Sequence, residues 1–217
     1  MTDERKATDE TVTPGVPVAD PLPHLSATAH RILDAARRIL RRDGFDALTF
    51  ETIATESGEN RASIRYHFGS KAGLISALVD AVLYDGSVAL LSTIAGAGNP
   101  DERRLALIET HRALAQTIDE YREFFDLVPH VLRDEALRER FRGLYEWYRD
   151  LDSWALAGMD DQTARARFLP LATLTVAMLD GLALQLQADP DYDIDAAVDQ
   201  WREILTDQVA RITERRP

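Results

Sequence analysis

The run Asn60-Arg61-Ala62-Ser63-Ile64-Arg65-Tyr66-His67-Phe68-Gly69-Ser70-Lys71 decides how the rest of the chain is read. Arg61 and Arg65 stand one helical turn apart, with small Ala62 and Ser63 between them. Asn60 is a good N-cap residue, and Ser70 is another, just ahead of a new apolar-periodic segment. At about 100° per residue, Ile64 falls opposite Ala62 and Tyr66. Ile64 therefore faces a core, Ala62 and Tyr66 face outward, and the two arginines share a flank. A helix about 10–12 Å across fits a DNA major groove about 12 Å wide. Arginine can pair bidentately with guanine, while hydroxyls and Lys71 can take phosphates. Phe68 reads as core. His67 reads equally well as a core or turn-capping residue and as a phosphate contact.

Upstream, Ser26 is a plausible cap for a helix over 27–43, with Ile32, Ala35, Ala36, Ile39 and Leu40 at helical spacing and Gly44 ending it. Arg37, Arg38, Arg41 and Arg42 crowd its last turns. Two readings are open for them: cations suit the C-terminal end of the helix dipole, and cations also contact phosphates. After Phe45-Asp46-Ala47-Leu48, Thr49 is an N-cap with Thr52 three residues on and Leu48 as a staple. A second helix over 50–56 would bury Phe50, Ile53 and Ala54 before Ser57-Gly58 breaks it. A third helix over 60–66 follows. Two helices joined by a short turn containing glycine form a helix-turn-helix.

The charge distribution agrees. The chain has a net charge of −12 and a pI near 4.8, which argues against indiscriminate coating of nucleic acid. Residues 28–71 carry 8 basic and 6 acidic side chains, net +2, and 72–217 carry 15 basic and 26 acidic, net −11. One DNA-facing unit sits on an acidic body. Zero cysteines remove disulfide and thiolate chemistry. With no basic-then-apolar leader and no run of about 18 apolar residues, the expectation is a cytoplasmic protein with no membrane span. Residues 1–27 have no hydrophobic period and hold Pro14, Pro17, Pro21 and Pro23, so they read as a disordered arm. Arg5 and Lys6 are the residues in it suited to a minor groove.

Residues 28–75 resemble the DNA-binding domain of the TetR family of transcriptional regulators. The resemblance rests on Ile39-Leu40 before Gly44-Phe45, on Leu48-Thr49 and Ile53-Ala54, on Gly58, and above all on Ile64-x-x-His67-Phe68-Gly69-Ser70-Lys71 followed by Leu74. Carried over by position, the family's DNA contacts fall on Thr49, Asn60, Arg61, Ala62, Ser63, Arg65, Tyr66, His67 and Lys71. Two positions depart from the family pattern. Glu59 stands where an apolar residue is usual after the turn glycine, and Arg65 stands where tyrosine is common, which implies a different operator preference. Asp180-Gly181-Leu182 with Asp189-Pro190 resembles the regulatory domain of the choline/betaine-regulator subgroup.

From Ser70 onward the pattern predicts helices over 70–94, 101–119, 120–132, 134–157, 161–188 and 194–213, with Pro129 kinking or ending the fourth-last of the apolar stretches. No period-2 run appears, so the fold class is all-α: a helix-turn-helix domain over 28–72 and a helical ligand-binding and dimerisation domain over 73–217. The stretch 165–187 has more apolar positions than one stripe needs. The family resemblance implies that the last two helices pair with those of a second subunit in a homodimer.

No phosphate loop, catalytic constellation or His-Glu-x-x-His motif is present, and none of the five histidines follows a glutamate by three. No enzyme activity, cofactor or metal is expected. His111, Asp126 and His130 are the one scattered set that could converge. A small-molecule effector would sit between helices among aromatic and polar groups. Tyr121, Phe124, Phe125, His130, Trp147, Tyr148, Trp154 and Asp180 are the candidates, each of which also reads as ordinary core. The function expected is that of a ligand-responsive, dimeric regulator, read as a repressor, on a pseudo-palindromic double-stranded DNA operator. The competing reading is a helical small-molecule-binding protein or enzyme that does not bind DNA.

Overall fold

Side chains start the first helices where their sequence allows it. In the computed structural model, which describes residues 25–159 and 161–214, Ser26 caps α1 (Ala27–Asp43) by accepting from the Ala29 amide. The expected arm over 1–27, with Arg5 and Lys6, lies outside the described residues except for its last three. Gly44 ends α1 at φ +79°, and a single 3-10 turn, Phe45–Ala47, leads to α2 (Phe50–Ser57). Thr49 and Thr52 form a reciprocal capping box at the start of α2, each backbone N–H donating to the other's hydroxyl. Gly58, left-handed at φ +72°, turns the chain into α3 (Arg61–Phe68), capped by Asn60. The third helix ends two residues later than the pattern suggested, because Gly69 at φ +71°, and no earlier residue, releases it. Ser70 then caps α4 (Lys71–Ala95).

The remaining described helices are α5 (Pro100–Ala115), α6 (Ile118–Val131), α7 (Glu135–Ala157), α8 (Gln162–Ala188) and α9 (Asp195–Glu214). There is no strand among the described residues. The expected helix over 101–119 is shorter than the pattern implied. Its end is made by Thr117, whose hydroxyl donates to the Leu114 carbonyl at 2.6 Å and whose backbone leaves helical angles at ψ 74°. Pro129 neither ends nor interrupts α6, which runs on to Val131.

Two hydrophobic cores organise the helices, and α4 belongs to both. Ile32, Ile39 and Leu40 of α1, Ile53 of α2 and Ile64 of α3 pack with Leu74 and Leu78 of α4, Leu127 and Val131 of α6, and Phe141 and Leu144 of α7. Leu90 and Ile94, further along α4, join Leu107, Leu151, Trp154, Phe168, Leu179 and Leu205 in the second core. Apolar packing therefore runs continuously across residue 72. By length and composition alone α4 and α8 could cross a membrane. Here Leu74, Leu78, Leu90 and Ile94 of α4, and Ala172, Thr175 and Ala183 of α8, are buried among other helices.

The arginines of α1 bond to carboxylates elsewhere in the fold, an arrangement neither sequence reading contained. Arg38 and Arg42 both pair with Glu56 of α2, at 2.9 and 3.3 Å. These contacts lower the Glu56 carboxyl pKa, Arg38 contributing most. Arg37 and Arg41 both reach Glu123 of α6. Arg31 binds Glu59, with its Nη2 at 2.6 Å and its Nε at 3.1 Å. Glu59, the residue that breaks the family pattern, thereby ties the turn before α3 back to α1.

A Cβ on Gly58 would meet nothing within 4 Å, so the only obstacle to a side chain there is the positive φ. Gly58→Ala is expected to lower stability by about 1–2 kcal/mol, and Gly58→Asn by less, because asparagine tolerates the left-handed region. Urea unfolding of the two variants measures the difference; an alanine variant as stable as the parent would contradict this turn.

Candidate DNA-reading helix and effector cavity

Ile64 is fully buried, and on the opposite face Tyr66 is 84% exposed with Arg61, Ala62 and Arg65 beside it. Ser63 and His67 are half-buried at the margins, and Phe68 packs partly into the core. Asn60 spends its side-chain oxygen on the Ser63 amide at 2.8 Å. Thr49, exposed at the start of α2, shares its hydroxyl with Thr52. Lys71, at the start of α4, holds its ammonium 5.8 Å from the Phe45 ring centre. The nine positions thus lie on the starts of three successive helices and on the outer face of the middle one. An acidic neighbour accompanies them: Glu51 of α2 binds Arg61 at 2.8 Å, both side chains being largely exposed. An exposed pair of this kind is weak, so Arg61 can exchange it for a base or phosphate.

The aromatic face of α6 and the facing parts of α4, α7 and α8, with Arg37 of α1 and Leu114 of α5, line a narrow cavity. It measures about 690 Å3 with its open mouth, of which about 90 Å3 is wide enough to admit water. Four of the expected effector residues line it: Tyr121, Phe124, Tyr148 and Asp180. Tyr145 donates to Asp180 at 2.6 Å across the cavity. Burial raises all three tyrosine hydroxyls, Tyr148 to about 12, and the Asp180 charge adds to the rise. The cavity therefore presents neutral phenol rings near neutral pH. Burial also raises the Asp180 carboxyl, partly offset by the Tyr145 hydrogen bond.

The other expected effector residues lie elsewhere. His130 stacks on Phe45 with ring centres 3.4 Å apart, at the junction of α6 with the helix-turn-helix. Trp154 is buried in the second core with the Arg103 guanidinium 3.9 Å from its ring centre. Trp147 is also buried in that core, and Phe125 packs against the core with its ring centre 5.5 Å from that of Tyr121. Sequence reasoning passed over Tyr145, Glu120, Glu123 and Arg37, all of which line the cavity. Tyr145 was legible as an aromatic on the apolar face of 134–157; Arg37 was read only as a helix-dipole or phosphate partner, and Glu120 and Glu123 carried no reading. His111, Asp126 and His130 do not converge. His111 faces Asp152, Asp126 lies beside Gly44, and no group of three acidic or histidine side chains among the described residues is placed to hold a metal ion.

The family model for bacterial regulatory proteins of the tetR family matches residues 32–78. The chain is a TetR-family regulator. The HTH-type transcriptional regulator BetI of Brucella canis is 29% identical over 155 residues, covering 71% of this chain and 77% of BetI. The HTH-type nicotine-responsive transcriptional repressor HdnoR of Paenarthrobacter nicotinovorans is 26% identical over 168 residues, covering 74% of this chain and 84% of HdnoR. Among solved structures, a transcriptional regulator from Saccharomonospora viridis in complex with choline superposes with a TM-score of 0.66 at 23% identity, covering 86% of this chain and 97% of that one. This TetR-family chain is accordingly a ligand-responsive, DNA-binding transcriptional regulator.

Beneath the cavity, His111 and Asp152 form a buried pair 3.2 Å apart, and the other ring nitrogen of His111 lies 2.8 Å from the Leu107 carbonyl. Burial disfavours the charged ring, but the Asp152 carboxylate and the Leu107 carbonyl outweigh it, so the His111 pKa is raised above 6.5. Burial likewise raises Asp152, with His111 opposing. The folded protein keeps the shared proton after the unfolded chain has lost it. Stability from this pair is therefore full below pH 6.5 and lost as pH rises through the raised His111 value. His111→Gln is expected to cost about 3 kcal/mol at low pH, with the deficit shrinking as pH rises through the raised His111 value. Denaturant titrations across that range check it; a deficit independent of pH would contradict the shared proton.

Proposed function

We propose that this regulator is a repressor that binds a pseudo-palindromic operator as a homodimer and releases it when a small organic cation enters the cavity. The observation that carries the DNA-binding half is the outer face of α3, where Arg61, Ala62, Arg65 and Tyr66 stand together opposite buried Ile64. Thr49, Asn60, Ser63, His67 and Lys71 surround that face and supply donors for the phosphates on either side. Two such helices must stand about 34–36 Å apart, or a multiple of it, to enter successive major grooves. Arg65, in place of the common tyrosine, gives this chain a donor suited to guanine and so its own operator preference.

The homodimer is supported by α8. Its inner face is buried, yet Leu169, Leu174 and Leu184 remain 44%, 58% and 55% exposed on the outside. An apolar outer face on a long C-terminal helix suits pairing with a second copy, as the family resemblance implies. The cationic effector is supported by the neutral rings of Tyr121, Tyr145 and Tyr148 around the Asp180 carboxyl, with Glu120 and Glu123 nearby. Ring faces and a carboxylate together attract an ammonium group, and quaternary ammonium ions are recognised by such aromatic cages. Choline, the ligand in the Saccharomonospora viridis structure, is one. Likeness to BetI over 71% of the chain supports the same class. An effector changes DNA affinity only through unequal affinity for the two conformations, and α4, which runs from the helix-turn-helix core into the second core, is the element placed to tilt between them.

Arg61→Ala is expected to lose on the order of 1–3 kcal/mol of operator binding and to relax sequence preference at one position, whereas Lys71→Ala weakens binding to all sequences and lowers the salt slope by about 1. Fluorescence anisotropy with matched and scrambled duplexes over a salt series separates the two. DNA binding unchanged in both variants would remove α3 as the reading helix.

A further inference from the structure

One wall of the effector cavity comes from the helix-turn-helix unit itself. Arg37 of α1 lines the cavity together with Glu123 of α6, and the two are bonded. Glu123 is fully buried, with a side-chain exposure of 0%, and it serves two arginines at once. Its Oε1 accepts from Nε of Arg37 at 3.3 Å and lies 2.9 Å from Nε of Arg41 as an ion pair. Its Oε2 accepts from Nη2 of Arg37 at 3.0 Å and Nη2 of Arg41 at 3.1 Å. The arginines are four residues apart, one turn of α1, so both forks close on one carboxylate from the same helix face. This cluster clamps α1 to α6 while forming part of the surface an effector meets.

We propose that Glu123 is an effector-binding residue, and that the cationic group of the effector competes with Arg37 and Arg41 for its carboxylate. The inference rests on the cationic-effector reading above and adds the residue that connects binding to release. A buried carboxylate cannot be left without a positive partner except at a cost of several kcal/mol. An ammonium seated between Glu123 and the adjacent rings of Tyr121 and Phe124 supplies that partner. Arg37 and Arg41 are not so confined: their side chains are 21% and 39% exposed, so they can turn to water with modest loss. Exchange of partners therefore leaves Glu123 neutralised and α1 untied from α6. Because α1, α2 and α3 share one core, untying α1 loosens the orientation of the reading helix. The coupling is reciprocal: a conformation held on DNA with the clamp closed binds the cation more weakly.

The test uses full-length protein, choline and tetramethylammonium as probes in calorimetry, and the ratio of DNA affinities with and without saturating choline. Glu123→Gln is expected to weaken choline by about tenfold or more and to bring that ratio toward one. Arg37→Met removes a competitor while Arg41 still neutralises Glu123, so it is expected to tighten choline by roughly threefold or more. Opposite shifts in the two variants are the signature of competition. An ion pair that merely braces the fold would give weaker or unchanged choline binding in both, which would overturn the proposal while leaving the cationic effector standing. A parent protein that binds neither probe overturns the cationic reading and this proposal together. Where Glu123→Gln does not fold, Arg37→Met decides alone, since tightening supports competition and weakening or no change refutes it.

Discussion

A reading helix of eight residues cannot hold itself. Isolated helices shorter than about 12–15 residues are marginal in water, and α3 buries only Ile64 completely. Its existence depends on what fixes its ends and its one buried contact: the Asn60 cap, the positive-φ glycines at 58 and 69, and the core that receives Ile64 from α1, α2 and α4. That arrangement leaves the outer face without structural duties. Arg61, Arg65 and Tyr66 are available to DNA because Ile64 and the two turns carry the folding load.

The same constraint makes α1 the strut of the molecule. On one side it packs under α2 and α3 and binds Glu56 and Glu59. On the other, Arg37 and Arg41 grip Glu123 in the wall of the cavity. The first half of α4 is packed into the α1–α3 core and the second half into the second core, so it is coupled to both as well. Two elements therefore join cavity to reading helix. One is apolar and continuous, and the other is a polar clamp whose partner an effector can replace. Packed apolar contacts favour a few discrete arrangements over continuous bending, whereas an ion pair facing a cavity can open with a change of occupant.

What was legible in the sequence was local. Ser26, Thr49 with Thr52, Asn60 and Ser70 cap helices because capping depends on residues two or three positions away. Ile64 was placed inward by periodicity alone. The roles of Arg37 and Arg41 were hidden because Glu123 lies more than eighty residues on and reads as surface charge. The helix end at Thr117 carries no glycine or proline and is set by a hydroxyl bonding back to Leu114. Among the aromatics, periodicity separates inward from outward but not cavity from core. Tyr148 and Trp154 both read as inward-facing aromatics of α7, yet Tyr148 lines the cavity and Trp154 packs beneath Arg103. His130 answers to Phe45, a residue of another unit.

The most direct measurement is selection of bound duplexes from a random DNA pool by the full-length protein, followed by elution with choline. The account predicts convergence on an inverted repeat whose half-sites are one helical turn apart, or a multiple, with bound duplex released by the cation. A pool that stays random after repeated rounds would contradict the assignment of α3 as a sequence-reading helix.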